Sequence, residues 1–289
     1  MKKWTNAALA AALAIAAAGA APAPMPEPSA VPAPDAAPTT IDVTYDVSLL
    51  GLSVGSMKMK LDLEDGRYRA EVYVQPEGLA ATFAPNTISA VATGRAEGGH
   101  ALPDQSWVRQ SKSDGARIVQ ITYAGGEIAS MSVDPAYKPF PYAPSESDRR
   151  GTTDALSGLI SMLLMPTVAD ASNTCGDTLH IFDGKRRYDF MQWSGGTRTV
   201  AKGAGGYRGP AIYCVGTYRR IAGWRPDRIS PDYDTKIHGW YAPIGPSGST
   251  PVVFLPVRLW GESNVGDVVA VPTSVTINGR PWQEFFSGG

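Results

Sequence analysis

The chain has 289 residues with a formal net charge of −1, 43% apolar residues and only 18% charged ones. That composition excludes a highly charged nucleic-acid-binding tail and a wholly disordered chain, and it is rich enough in apolar residues to bury a sizeable core. Two cysteines and three histidines leave little material for a metal cluster or a thiol site.

The N-terminus reads as an export signal. Lys2 and Lys3 precede an apolar run from Ala7 to Ala18, and Ala18-Gly19-Ala20 offers the small-x-small pattern of a cleavage site, so 1–20 is a signal peptide. No cysteine follows the run to accept a lipid. The run is too short to span a bilayer, so no transmembrane span is expected, and the expected location is the periplasm. Residues 21–40 are almost entirely Pro, Ala and small polar residues, which reads as an extended, disordered linker. Residues 41–289 are expected to form a single β-rich domain.

Alternation with a period of two dominates that domain. Ile41, Val43, Tyr45, Val47 and Leu49 form the first run, Met57 to Leu63 the second, and Tyr68 to Val74 the third, with glycine turns between them. Further strands are expected at 87–98, 105–112, 117–124, 127–133, 178–183, 186–193, 211–221, 236–242, 252–260 and 267–277. Between 135 and 144 four prolines exclude a central strand, so the chain should cross the outside there. Leu156, Leu159, Ile160 and Leu163 then fall at helical spacing, with Thr153 or Asp154 as N-cap and Pro166 as a stop. This single amphipathic helix needs a partner for its apolar stripe. The fold class is therefore all-β: a curled antiparallel sheet, β-spiral or open barrel, with one amphipathic helix on the concave face.

In an exported protein Cys175 and Cys214 should pair as a disulfide. The stretch between Lys185 and Arg228 is strongly basic: Lys185, Arg186, Arg187, Arg198, Lys202, Arg208, Arg219, Arg220, Arg225 and Arg228 stand against Asp189 and Asp227. Tyr188, Tyr218 and Trp224 add aromatic surface. If Tyr188 and Phe190 face inward, Arg186 and Arg220 share that side, while Lys185, Arg187 and Asp189 point outward. Two inward arginines need an anion, a carboxylate or a wet cavity. Arg186, Tyr188, Tyr218, Arg220 and Trp224 are thus the candidate ligand-binding set, and Lys185, Arg187, Arg219, Arg225 and Arg228 the candidate basic surface. Anionic lipid, lipopolysaccharide or an envelope protein are the natural partners in such a compartment, and nucleic acid is not. The competing reading of the same residues is a solvated strand face paired with acids of the first half.

No catalytic residue, metal ligand or cofactor site is expected. His100 and His180 read as ordinary structural histidines, and Asp232, Asp234 and His238 are too loosely spaced for a metal set. The sequence has no HExxH or phosphate-loop motif. A hydrolase acting on an envelope polymer remains the least favoured reading.

In order and spacing, "YDVSLLGLSVGSMKMKLDLEDGRYRAEV", "EGLAATFAP", "GTTDALSGLISML", "CGDTLHIFDGKRRYDF" and "IYCVGTYRRIAGW" resemble the bacterial envelope family known as domain of unknown function 3108. The resemblance covers essentially all of 41–280. It departs at the helix start, where the family more often has Asp-Pro-Leu-Ser and this chain has Asp154-Ala155-Leu156-Ser157. The resemblance implies an exported protein with a curled sheet around a helix, similar in outline to periplasmic lipoprotein carriers and envelope-integrity β-spiral proteins, and it implies no catalytic residues.

Overall fold

The structure is a computed structural model that describes residues 38–83, 85–113, 115–164, 175–201, 205–229, 236–244, 253–263 and 266–285. The signal-peptide and linker expectations fall on residues almost wholly outside that set, as do Pro166, Asp232 and Asp234. The described residues build one antiparallel sheet of 14 strands. The strands are β1 (Thr39–Leu49), β2 (Leu52–Glu64), β3 (Arg67–Pro76), β4 (Thr87–Glu97), β5 (His100–Lys112), β6 (Gly115–Ala124), β7 (Glu127–Asp134), β8 (Leu179–Phe182), β9 (Arg187–Val200), β10 (Gly209–Ala222), β11 (Lys236–Ile244), β12 (Val253–Ser263), β13 (Gly266–Ile277) and β14 (Arg280–Pro281). Their order is β7-β6-β5-β4-β3-β2-β1-β13-β12-β11-β10-β9-β8, with β14 added to β13, so sequence neighbours pair throughout except β7 and β8, the two edges, and β1 with β13 joins the two meanders.

The alternation in the sequence is what the sheet uses. Ile41, Val43 and Tyr45 are buried opposite Leu61, Met59 and Met57, and Leu61 sits opposite buried Ala70. Among the described residues three helices accompany the sheet rather than one: α1 (Gly78–Phe83), α2 (Glu146–Arg149) and α3 (Ala155–Leu163). The first is only six residues long and the second is wholly polar, so neither offers the long apolar stripe that announced the third. The proline-rich segment forms no strand, and Tyr142 meets the end of β10 through the Gly223 amide at 2.8 Å.

Helix α3 lies in the hollow of the curl. Asp154 is its N-cap, and Oδ1 accepts from the Leu156 and Ser157 amides at 3.0 Å each. Leu156, Ile160 and Leu163 are buried in one cluster with Val43, Leu61, Ala92, Leu255 and Ile277, each leucine or isoleucine contributing about 1.5–3 kcal/mol of burial. Two hydroxyls tie the helix to the sheet: Ser161 Oγ accepts from the Ala101 amide at 2.9 Å, and Ser157 Oγ lies 2.7 Å from the Tyr68 hydroxyl. The cleft beside the disulfide, lined by His100, Ser161, Cys175 and Gln192, holds only about 10 Å³. That is room for about one water, so the concave side is filled at this point by helix and side chains.

The curl does not close by strand pairing. A short strap, residues 151–154, stitches its two free edges instead. On the β7 side the Gly151 amide donates to the Glu127 carboxylate at 3.1 Å. On the β8 side the Thr153 amide donates to the His180 carbonyl at 2.8 Å, and the Thr153 carbonyl accepts from the Phe182 amide at 2.9 Å. Phe182 then packs with Val119, Ile121 and Tyr123 of β6. An edge strand with unpaired amides is a template for aggregation, and the strap covers one.

Candidate functional site

The β8–β9 hairpin and the end of β10 bring the candidate ligand-binding residues together. Asp183 starts the turn: its amide donates to the Arg186 carbonyl at 3.1 Å, and its Oδ1 accepts from the Lys185 and Arg186 amides at 2.9 and 2.7 Å. Burial raises the Asp183 pKa, and those two amides offset part of the rise. Gly184, at φ +87°, turns the chain back into β9.

Strand register then places Ile181, Tyr188 and Arg220 in one row across β8, β9 and β10. Ile181 approaches α3 so closely that a Cβ on Gly158 would lie 3.1 Å from its Cδ1, which fixes this face as the one turned toward the helix. Tyr188 meets Tyr218 and Trp224 edge-on, with ring centroids 6.2 Å apart in both pairs. Arg186 lies over the Trp224 ring at 5.3 Å, and Arg220 lies over Tyr218 at 5.3 Å and Trp224 at 5.8 Å. All five residues of the candidate set therefore share one cluster. Burial pushes the Tyr188 phenol well up from its ordinary value, so it stays a neutral hydroxyl.

The expectation that two inward arginines need an anion, a carboxylate or a wet cavity is corrected. Arg186 is exposed in the turn. The protein itself engages both terminal nitrogens of Arg220, with Nη1 donating to the Arg228 carbonyl at 2.8 Å and Nη2 to the Tyr218 hydroxyl at 2.7 Å. A carbonyl, a phenol and two ring faces together solvate its charge.

Arg187 is corrected as well, because it does not belong to the basic surface. It is buried, as is Asp189, which is only 2% exposed. Arg187 Nη1 lies 2.7 Å from Asp189 Oδ1, Arg219 Nη2 2.8 Å from Oδ2, and His180 Nδ1 2.6 Å from Oδ1. Burial opposes ionisation of Asp189, but the three hydrogen-bond donors outweigh it and hold the carboxyl at about 2. Such a group is ionised throughout the physiological range and cannot shuttle protons there. Lys185 is half-buried against the proline-rich segment, with Nζ 5.0 Å above the Tyr137 ring and 5.4 Å from that of Phe140. Arg219, Arg225 and Arg228 are exposed, the first on Asp189 and the other two beside Asp227.

Other features lay beyond reach of the sequence. The Tyr213 hydroxyl and His238 Nδ1 are 2.7 Å apart, and Trp260 lies nearly parallel to both rings, with centroids 5.9 and 5.3 Å away. Arg198 and Arg258 sit over the Tyr213 and Trp260 rings at 4.9 and 5.7 Å. The three rings come from three strands, β10, β11 and β12, and only register reveals them as one plate. A groove of about 370 Å³ opens over β13, β1, β2, β3 and β4, where Lys58 and Lys60 are balanced by Asp42 and Glu71. Cys175 and Cys214 are bonded, with Cα atoms 5.8 Å apart, and are buried with Tyr241 and Phe254. Among the described residues no three His, Cys, Asp or Glu side chains converge as a ligand set for a metal ion, and no helix is long and apolar enough to cross a membrane.

A curled, open antiparallel sheet wound on a single buried helix and sealed by a strap defines an all-β, barrel-like class of protein. Within it, the chain belongs to the family described as protein of unknown function DUF3108, whose sequence profile matches residues 43–271. No curated protein matches the sequence. Among solved structures it is similar to a β-barrel-like protein of domain of unknown function DUF1849 from Brucella abortus, with 10% identity and a TM-score of 0.48 over 83% of this chain and 97% of that one.

Proposed function

We propose that this is an exported, non-catalytic protein of the periplasm and cell envelope, and that it binds phosphate-bearing envelope components on its surface through the arginine–aromatic cluster. The observation that carries the reading is the convergence of Arg186, Tyr188, Tyr218, Arg220 and Trp224 at one end of the sheet, with Lys185, Arg225 and Arg228 beside them. The exposed Arg186 guanidinium, held on the Trp224 ring, keeps donors available for phosphate oxygens while losing little freedom on binding. The disulfide supports an oxidising compartment. The filled cleft beside α3 supports a surface role over an internal lipid carrier.

The test is flotation with vesicles of phosphatidylglycerol and phosphatidylcholine, against phosphatidylcholine alone and against lipopolysaccharide micelles. Arg220 anchors the chain at Arg228, so the variant of choice is K185E/R186E, which changes the turn and its surface. The wild type is expected to bind the phosphate-rich particles and the variant to lose most of that binding. Equal binding by both would remove the cluster from the function. Organic extraction yielding one lipid per purified protein would instead restore the carrier.

A further inference from the structure

Strand β9 carries two glycines, Gly195 and Gly196, in the middle of its 14 residues, where glycine weakens a ladder and no turn requires it. Register shows their use. Ile212 of β10 pairs with Thr197 and Cys214 with Ser194, so Tyr213 stands alone opposite a bulge made of the two glycines. Gly196 adopts φ +86°, and a Cβ on Gly195 would overlap Cδ1 of the Tyr213 ring. The bulge is a seat on which the ring lies down across β9.

This seat is on the outside of the curl. Gln192 donates to the Cys175 carbonyl at 3.0 Å and Cys214 bonds Cys175, in the cleft that Ser161 and Met162 of α3 also line. Their chain neighbours Trp193 and Tyr213 point the other way, away from the helix. Trp193 is 44% exposed, and its ring has no aromatic partner among the described residues. Beyond the bulge, Arg198 is exposed with its guanidinium 4.9 Å from the Tyr213 ring centre, and no carboxylate of the described residues lies within ion-pair distance of it. The Tyr213 hydroxyl and His238 Nδ1, 2.7 Å apart, supply polar atoms next to the seat. The acidic residues on β8 to β13 leave Arg198 alone: Asp189 is held by Arg187, Arg219 and His180, while Glu262 and Asp267 face each other on β12 and β13, three and four strands from β9.

From Trp193 to Arg198 the strip runs about 15 Å along the strand. Over that length it alternates a ring face, a hydroxyl with an imidazole, and a guanidinium. A ligand that fits must alternate apolar and polar parts on the same scale and carry negative charge. Sugar rings do so, with C–H faces for the aromatic rings, hydroxyls for the hydrogen-bonding groups and, in acidic sugars, a carboxylate for the guanidinium fork. An acyl chain offers nothing to the polar half of the strip. We propose that the outer face of β9 and β10 binds an acidic glycan, with one sugar stacked on Trp193, hydroxyls on the Tyr213–His238 pair and a carboxylate on Arg198. This site is separate from the arginine–aromatic cluster, which lies on the face turned toward the helix, and it does not rest on the phosphate reading.

The experiment is calorimetric titration of the purified protein with trigalacturonate, with maltotriose as the neutral sugar and oligothymidylate as the nucleic-acid control. The wild type should bind trigalacturonate at least about tenfold more tightly than maltotriose and lose most of that advantage at about 0.5 M salt. W193A and R198Q should each weaken binding about tenfold or more at an unchanged melting temperature, because both side chains are exposed. If W193A melts early, R198Q decides alone. K185E/R186E should bind like the wild type. A wild type that ignores trigalacturonate, or an R198Q that binds it equally well, overturns the proposal. Tighter binding of oligothymidylate than of trigalacturonate would give the strip to nucleic acid and also overturn it, as would a loss confined to K185E/R186E, which would move the ligand to the arginine–aromatic cluster.

Discussion

Gly184, in the β8–β9 turn, rests directly on Val119 of β6: a Cβ built at Gly184 would lie 2.4 Å from Val119 Cγ1. These residues belong to opposite ends of the sheet order, since β8 is the last strand and β6 the second. Their contact is where the curl meets itself. Phe182 fills the same seam against Ile121 and Tyr123, and the 151–154 strap supplies the hydrogen bonds that pairing of β7 with β8 would otherwise provide.

Gly184→Ala should therefore cost more than an ordinary turn substitution. The residue sits at φ +87°, which disfavours a side chain, and the new methyl must displace a β-branched neighbour. A loss of about 2–4 kcal/mol is expected, read as a lower urea midpoint. The pair G184A/V119A should recover part of it, because the smaller residue at 119 makes room; no recovery would place the strain in the backbone alone.

The disulfide is a second independent brace. Cys175 and Cys214 are 39 residues apart in sequence, a loop worth about 4 kcal/mol in the chain-entropy account. Cys214→Ser should lower the melting temperature under oxidising conditions and leave it unchanged in reductant, where the wild type has lost the same bond. Equal melting of the two proteins in oxidant would show that the bond carries no stability.

Much of this architecture was legible in the sequence because it rests on local pattern. The alternation of Ile41, Val43 and Tyr45 and the helical spacing of Leu156, Ile160 and Leu163 each name a buried face without knowledge of the partner. The burial of β9 was not legible. Arg187 and Asp189 look solvated because they are charged, and only the position of this hairpin, together with His180 and Arg219 from flanking strands, covers and pairs them. The plate of Tyr213, His238 and Trp260 was hidden for the same reason, since its members meet only through the registers of β10, β11 and β12. The five residues of the arginine–aromatic cluster were recoverable because Tyr188 and Tyr218 lie on paired strands, with Arg186 and Arg220 each two residues from one of them.

Asp189 gives the protein an acid-sensitive point. Its carboxyl is held at about 2 in the fold, against about 3.9 in an unfolded chain. The unfolded state therefore binds the proton first. The stability Asp189 contributes is complete above about pH 5 and is lost as pH falls through about 4 toward 2, amounting to about 2 kcal/mol. Asp189→Asn should flatten that part of the stability profile. At neutral pH the same variant should lose about 3–5 kcal/mol, because buried Arg187 is left without its carboxylate. Chemical denaturation of both proteins across pH 2 to 7, a range set by those pKa values, measures both effects.

Asp154 shows the opposite sign, and its variants separate capping from charge. Burial raises its pKa, with the Ser157 hydroxyl and the Ser157 and Leu156 amides pulling it back down. The folded state thus holds the proton more tightly than the unfolded one, and stability falls as pH rises through the interval between the two pKa values. Ser157 Oγ donates to Asp154 Oδ2, so the Tyr68 hydroxyl is the donor to Ser157. Asp154→Asn keeps an oxygen for the two amides and offers an NH2 to Ser157, whose hydrogen can then turn to Tyr68. That variant should match the wild type at neutral pH or exceed it slightly, with the pH slope removed. Asp154→Ala leaves the first turn of α3 uncapped and Ser157 without its acceptor, and should lose about 1–3 kcal/mol. Urea midpoints for the two variants at neutral pH decide the matter: equal losses would mean that the charge, and not the cap, holds the helix start.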